Sequence, residues 1–269
     1  MKKYIKLSLT YSVSITTFIF MFLPENLFKN VKLLNNVIDE VNIIVNRILF
    51  FVMVLILILF ILGVHFVTRN SVKIRGRNYT VEIKYGDIFK QKKCKKLIPF
   101  DECFTTSVGT APADINPSSV CGKYLKMNPN LDIDALISAS DLKTKGKSKN
   151  MGRNRYESGR LIINGDYLLM AFVKLDKDGV GRMTYSEFLV SLSVLWEEID
   201  KYYGQEDVCI PILGSGATRL RDISLTKQEV LDIIIASYKL AQSKIHKPNK
   251  LVIVCRKEDV SLNKIGTYI

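Results

Sequence analysis

The stretch Val208-Cys-Ile-Pro-Ile-Leu-Gly-Ser-Gly-Ala-Thr-Arg219 runs from apolar residues directly into Gly214 and Gly216. A short apolar run that ends in glycine is typical of a buried strand followed by a turn. Glycine amides can approach an anion closely, and the carboxyl end of a buried strand is where open α/β sheets bind ligands. A lone Gly-x-Gly is also common in ordinary turns, so this stretch predicts a strand and indicates a binding loop.

Strand-like and helix-like segments alternate on both sides of this stretch. Residues 118–126, 131–140 and 184–203 have helical spacing, and Thr226 with Glu229 forms a capping box for a helix that continues to about Ile245. This alternation predicts an α/β domain with a mostly parallel or mixed sheet between two layers of helices. The other predicted strands are residues 79–85, 96–100, 161–163, 167–173 and 251–255.

The amino-terminal quarter is different, because it is strongly apolar. Ile48–Leu62 contains apolar residues alone, and Leu7–Leu23 carries no charge. About 20 apolar residues span a bilayer, so these segments predict a two-helix transmembrane hairpin in residues 1–70, ahead of a ligand-binding domain in residues 71–269. A cleaved signal peptide is the alternative for the first segment, although residues 21–24 offer no small-residue cleavage site.

The charges that flank the two apolar segments predict their orientation. Basic residues both precede the first segment and follow the second, whereas the connector from Pro24 to Arg47 has equal numbers of basic and acidic residues. The positive-inside rule then predicts a multi-pass protein of the bacterial membrane with both termini in the cytoplasm. The flanking cations are Lys2, Lys3, Lys6, Arg69, Lys73, Arg75 and Arg77.

The connector carries an apolar stripe, with residues from Leu27 to Val45 recurring at spacings of three or four. This pattern predicts a helix that either lies on the outer leaflet or forms a self-association surface in an oligomer. Beyond the second apolar segment, residues 69–78 read as a short basic tether to the ligand-binding domain.

The ionisable residues restrict the chemistry. Lys and Arg number 39 against 26 Asp and Glu, which gives a net charge of +13. The only histidines are His65 and His246, which nearly excludes Ser-His-Asp and Cys-His catalysis. Five cysteines form no CxxC pair, which disfavours a disulfide framework and a zinc site.

Two local patterns leave alternatives open. Asp176, Asp178, Gly181 and Glu187 fall at positions of a calcium-binding EF-hand loop, but Val180 stands where an oxygen ligand is needed. An ordinary strand-to-helix turn is the simpler interpretation. Residues 143–155 contain six basic and no acidic residues, which indicates a solvated surface loop or a site for anionic lipid or phosphate.

Gly86-Asp87-Ile88 follows the strand at residues 79–85, and about 125 residues separate it from Pro211-Ile-Leu-Gly-Ser-Gly. Over about residues 78–265 this pair of motifs resembles a macro domain, the fold that binds ADP-ribose and its derivatives. Two apolar segments ahead of such a domain resemble the membrane effector of Thoeris anti-phage defence. Residues 115–122 and Leu195-Trp-Glu-Glu-Ile199 support the resemblance.

The resemblance implies a ligand-binding role for ten residues. Asp87 would read the adenine amine, the glycine-rich loop would hold the diphosphate, and a second loop would meet the phosphates and the distal ribose. The residues are Asp87 and Ile88; Gly214, Ser215, Gly216, Ala217 and Thr218; and Ser118, Ser119 and Gly122.

The family also implies a function. A TIR-domain partner would make an ADP-ribose-derived signal, a histidine–ADP-ribose conjugate in the membrane type, and the domain would bind it and trigger oligomerisation and membrane disruption. The Asn-Ala-Ala-Asn-like run of macro domains is missing, which favours binding over catalysis; a membrane-tethered ADP-ribosyl hydrolase is the alternative, and a calcium-responsive adaptor is a third possibility. We expect no catalytic residue, metal, resident cofactor or nucleic-acid partner.

Overall fold

The chain divides into two units, one ending at Arg69 and one starting at Asn70. The structure is a computed structural model, and it describes residues 2–24, 26–29, 38–111, 113–214, 219–220 and 222–265. Ser215–Thr218 of the glycine-rich loop and Val31 and Leu34 of the connector lie outside the described residues.

The first unit consists of the helices α1 (Lys2–Phe22), α2 (Asn26–Lys29) and α3 (Asp39–Thr68). The most apolar 18-residue windows of Tyr4–Phe22 and Asp39–Thr68 have mean hydropathies of 1.4 and 3.1, and both helices are long and apolar enough to be candidate membrane spans. The polar residues of α1 are accommodated locally. Ser8 and Ser12 are buried and donate hydrogen bonds to the carbonyl oxygens four residues earlier, at 3.0 and 2.8 Å.

The second unit is built on a mixed sheet in the order β1-β2-β11-β9-β3-β7-β8-β10, with β6 paired to β7. The run β2-β11-β9-β3-β7 is entirely parallel, so its five carboxyl ends lie at one edge of the sheet. The strands are β1 (Ser71–Arg75), β2 (Thr80–Tyr85), β3 (Cys94–Asp101), β4 (Gly146–Lys147), β5 (Asn154–Arg155), β6 (Leu161–Asn164), β7 (Tyr167–Leu175), β8 (Gly181–Met183), β9 (Asp207–Pro211), β10 (Arg219–Leu220) and β11 (Leu251–Cys255).

Helices cover both faces of this sheet. α4 (Val120–Met127) and α5 (Ile133–Ser138) pack on one core, while α6 (Tyr185–Tyr202) and α7 (Lys227–Leu240) pack on the other. Because side chains alternate along a strand, Leu97 of β3 enters the α6–α7 core and its neighbour Ile98 enters the α4–α5 core. The predicted helix-covered, mostly parallel α/β sheet is confirmed.

Two details differ from the expectation. Within the stretch read as a tether, Ser71–Arg75 is the edge strand β1, antiparallel to β2, because Val72 and Ile74 alternate towards the core. Arg69 and Asn70 alone therefore separate α3 from the sheet. The helix predicted to reach about Ile245 ends at Leu240 instead. The chain turns back there, since Ile245 is fully buried and its amide donates to the Tyr238 hydroxyl at 2.9 Å.

The calcium-loop pattern differs from the expected strand-to-helix turn, because residues 176–180 form a hairpin turn between β7 and the antiparallel strand β8, and α6 begins after β8. Asp176 accepts hydrogen bonds from the amides of Asp178 and Val180, at 3.0 and 2.9 Å, and pairs with Arg182. Glu187 completes the capping box of α6 with Thr184. Both terminal carboxylates of the pattern thus stabilise the local fold.

Candidate ligand-binding site

A cavity of about 520 Å³ lies at the carboxyl ends of the parallel strands. Its walls are formed where β2, β3, β7, β9 and β11 end, together with the loop that leads into α4. Open α/β sheets bind ligands at this edge, and the volume falls within the range of small-molecule sites. The cavity is therefore the candidate site.

Asp87 and Ile88 form part of its wall directly after β2. The Asp87 carboxylate accepts a hydrogen bond from the Phe89 amide at 2.9 Å and so caps the short 3-10 turn Ile88–Lys90. Ile88 is buried among apolar side chains beneath this turn. One carboxylate oxygen, Oδ1, fixes the turn, and the half-exposed side chain contributes a negative charge to the cavity.

We expect Asp87→Ala to weaken ADP-ribose binding and to lower stability by about 1 kcal/mol, because it removes both an acceptor in the cavity and a helical cap. Asp87→Asn is the matched variant, since asparagine caps equally well but lacks the charge. It should weaken binding while stability stays unchanged. Titration calorimetry and thermal unfolding measure the two effects, and normal affinity in both variants would leave Asp87 with the capping role alone.

The start of the glycine-rich loop lies in the same cavity. Pro211, Ile212, Leu213 and Gly214 line it where β9 ends. Gly214 has a φ of +73°, a left-handed conformation that favours glycine. The sharp turn after β9 therefore depends on this residue.

Ser118 and Ser119 also line the cavity, whereas Gly122 is not among the lining residues. Ser119 caps α4 by accepting from the Gly122 amide at 2.9 Å, and Ser118 donates to the Asn116 side chain at 2.7 Å. A Cβ on Gly122 would lie 2.2 Å from the Asn116 carbonyl oxygen, so glycine is needed there for close packing of the loop on the helix. The structure thus brings two of these three residues to the cavity.

Several charged residues of the cavity were absent from the sequence-based assignment. Arg256 follows β11 and is exposed, while Lys227 is paired with Asp259 on the same wall. Arg256 makes no ion pair within the part of the chain that the structure describes. It stands at a strand end, as Gly214 does, so the rule that identified Gly214 could also have identified Arg256.

Asp101, also in the wall, has a different role. It is only 8% exposed, and burial raises its pKa, although hydrogen bonds from the Thr105 hydroxyl and the Cys103 amide oppose this shift. Both carboxylate oxygens accept from residues 103–105. Asp101 therefore stabilises the turn that follows β3.

The Cys121 thiol and the His246 imidazole are two further reactive side chains whose positions bear on the chemistry of the cavity. Burial raises the pKa of the Cys121 thiol well above its usual value, so this cavity residue stays protonated at neutral pH. His246 lies away from the lining residues, and its Nδ1 is 2.7 Å from the Asn78 amide nitrogen. The lining residues can supply hydrogen bonds and charge to a ligand.

The arrangement agrees with a known family. The family model for the macro domain of Thoeris protein ThsA matches residues 81–256, which contain all of the described cavity walls except Asp259. The chain belongs to the ThsA macro-domain family. A Thoeris protein ThsA from Bacillus amyloliquefaciens is 30% identical over 201 residues, which cover 71% of this chain and 67% of that protein.

Solved macrodomains resemble this ThsA-family chain more distantly. An Oceanobacillus iheyensis macrodomain mutant with ADPR is 13% identical, with a TM-score of 0.40. The matched region covers 70% of this chain and 92% of the mutant macrodomain. The macrodomain of Thermus aquaticus DarG is 11% identical, with a TM-score of 0.38, and covers 65% of this chain and 99% of its own.

Proposed function

We propose that this ThsA-family chain is an anti-phage defence effector whose macro domain binds an ADP-ribose-derived signal, a histidine–ADP-ribose conjugate. The observation that carries the proposal is the convergence of Asp87, Ser118, Ser119 and Gly214 on one cavity of about 520 Å³. The sequence motifs lie far apart along the chain, and their meeting at the carboxyl edge of the sheet supports a common ligand.

Each wall suits a different part of such a ligand. The Asp87 carboxylate can accept a hydrogen bond from the exocyclic amine of adenine, and the turn after β9 can present backbone amides to the diphosphate. Arg256 adds a cation at the edge of the same cavity, which favours a ligand with two or more negative charges. Ser118 and Ser119 offer hydroxyl groups to the distal ribose.

We further propose that the site binds without turnover. Hydrolysis needs a positioned base or an activated water. The Cys121 thiol is protonated because it is buried, and the Asp101 carboxylate is held by hydrogen bonds within a local turn. The hydrolase alternative would have to use another carboxylate of the cavity wall, such as Asp87 or Asp259, as the base.

One experiment addresses binding and turnover together. The full chain in neutral detergent micelles is titrated by calorimetry with ADP-ribose, its histidine conjugate and NAD, and the recovered ligand is then analysed by chromatography. We expect the conjugate to bind most tightly and to be recovered intact. Absence of heat for all three ligands would refute the binding proposal, and release of free ADP-ribose would establish the hydrolase instead.

The first unit supplies the effector part of the proposal. Its two candidate spans would anchor the chain in the bacterial membrane, with both termini cytoplasmic, and a TIR-domain partner would make the signal. A ligand can drive a membrane event only by binding the active state more tightly than the resting state. We therefore propose that the ligand favours an oligomer whose contacts come from the apolar connector.

We expect the ligand to cause dye release from liposomes that contain the full chain, and we expect Leu34→Asp with Ile38→Asp to suppress that release. Ile38 is 69% exposed just before α3, so a carboxylate there would repel a neighbouring copy without disturbing the core. The paired variant Leu34→Val with Ile38→Val should still leak. Leakage that is independent of ligand, or persists undiminished with both aspartates, would contradict the proposed coupling.

A further inference from the structure

Residues 143–155 form a basic hairpin, in which β4 and β5 pair antiparallel. The segment contains six Lys and Arg residues and no acidic residue. Two of these cations have carboxylate partners: Lys145 lies 2.7 Å from Glu157, and Arg155 lies 3.7 Å from Glu102. Since the remaining four have no carboxylate within ion-pair distance among the residues that the structure describes, they are available to an external anion: Lys143, Lys147, Lys149 and Arg153.

The tip of the basic hairpin combines charge with an apolar side chain. Met151 is 82% exposed, and it lies between the exposed cations Lys149 and Arg153. Such a combination fits the boundary between lipid headgroups and acyl chains, where cations meet phosphates and an apolar side chain leaves water. A soluble polyanion would contact the cations and leave Met151 exposed.

The basic hairpin is also held firmly. Ser148 is buried at its turn and donates a hydrogen bond of 2.7 Å to the carboxylate of Glu102, which is itself only 3% exposed. The same carboxylate accepts from the Leu175 amide at 3.2 Å, so the hairpin is fixed to the end of β7. A surface ordered before binding loses less conformational entropy when it docks.

We propose that the basic hairpin docks on an anionic lipid surface, with Lys147, Lys149 and Arg153 at the headgroup phosphates and Met151 in the boundary layer. The proposal rests on the membrane attachment proposed above, which would keep the domain beside a bilayer. Each cation near an anionic surface contributes favourable free energy of binding. The loss of two cations should therefore lower the ratio of docked to undocked hairpin by at least about tenfold.

The test uses the full chain in nanodiscs, with an environment-sensitive fluorophore on Met151→Cys in a Cys103→Ser background, because the other four cysteines are buried. We expect a blue-shifted emission and protection from iodide in discs of phosphatidylglycerol and phosphatidylcholine, but not in discs of phosphatidylcholine alone. Salt at 1 M should reverse the shift, since it shortens the screening length to about 3 Å. Hydrogen exchange across residues 146–155 of the unlabelled chain provides a second measurement.

Matched variants separate a local effect from net charge. Lys149→Gln with Arg153→Gln should abolish the shift, whereas Lys126→Gln with Lys257→Gln removes the same charge at other exposed positions and should preserve it. Equal signals in both lipids would overturn the proposal, as would an equal response to inorganic phosphate or an oligonucleotide in neutral discs.

Discussion

Gly214→Val should weaken binding of ADP-ribose by at least tenfold, which corresponds to about 1.4 kcal/mol. The φ of +73° at Gly214 is strongly unfavourable for a β-branched residue, so the variant turn would move to a negative φ. That movement would redirect the backbone amides that follow β9, at the wall of the cavity. Titration calorimetry on the full chain in micelles measures the loss.

Gly165→Val is the matched control for backbone strain. Gly165 has a φ of +58° in the turn between β6 and β7, and nothing lies within 4 Å of the Cβ position. It is not among the residues that line the cavity. We expect a comparable loss of stability with unchanged affinity, and a folded Gly214→Val protein that binds normally would remove the turn after β9 from the site.

Trp196→Ala should lower the free energy of unfolding of the second unit by about 3–5 kcal/mol. Trp196 is 1% exposed, its Nε1 donates to the Ser237 hydroxyl at 2.8 Å, and its ring meets that of Tyr238 edge to face with centroids 5.0 Å apart. The truncation removes these contacts and leaves a cavity between α6 and α7. Native domains are stable by only about 5–15 kcal/mol, so the loss is a large share.

Trp196→Phe retains most of the ring volume and isolates the hydrogen bond. It should lower the free energy of unfolding by less than Trp196→Ala does. Ser237→Ala should lower it by about 1–3 kcal/mol, because the buried indole nitrogen loses its acceptor. Trp196 is the only tryptophan, so its replacement removes the tryptophan fluorescence by which unfolding is usually followed. The fraction of folded protein is therefore best measured by pulse proteolysis in urea. A loss below about 1 kcal/mol for Trp196→Ala would show that the α6–α7 contact tolerates truncation.

The sequence predicted those parts of the site that directly follow an apolar strand. Asp87 and Gly214 each follow an apolar run, and parallel strands bring such strand ends to one edge. Arg256 obeys the same rule but was missed, because a lone cation after a strand carries no motif. Gly122 was matched to a family position, yet its close approach to the Asn116 carbonyl depends on tertiary packing, which spacing cannot reveal.

The errors in the fold have a related cause. β1 was not predicted, because three of its five residues, from Ser71 to Arg75, are polar or charged. This composition is typical of an edge strand with one exposed face, but it is equally typical of a basic linker. Ile245 continued the apolar spacing of α7, although the residue reaches the core by a reversal of the chain. Both features depend on pairing with distant segments, so local periodicity alone was insufficient.

The short junction between α3 and β1 restricts how many torsions can absorb a motion. The Asn70 carbonyl already accepts a hydrogen bond from the Tyr85 amide at 3.1 Å, so Asn70 moves with the sheet. The two backbone torsions of Arg69 are then the principal rotatable bonds between the helix and the strand. Each residue inserted there would add two rotatable backbone torsions to a junction that has few. The length of the junction therefore determines how freely the chain can rotate between α3 and β1.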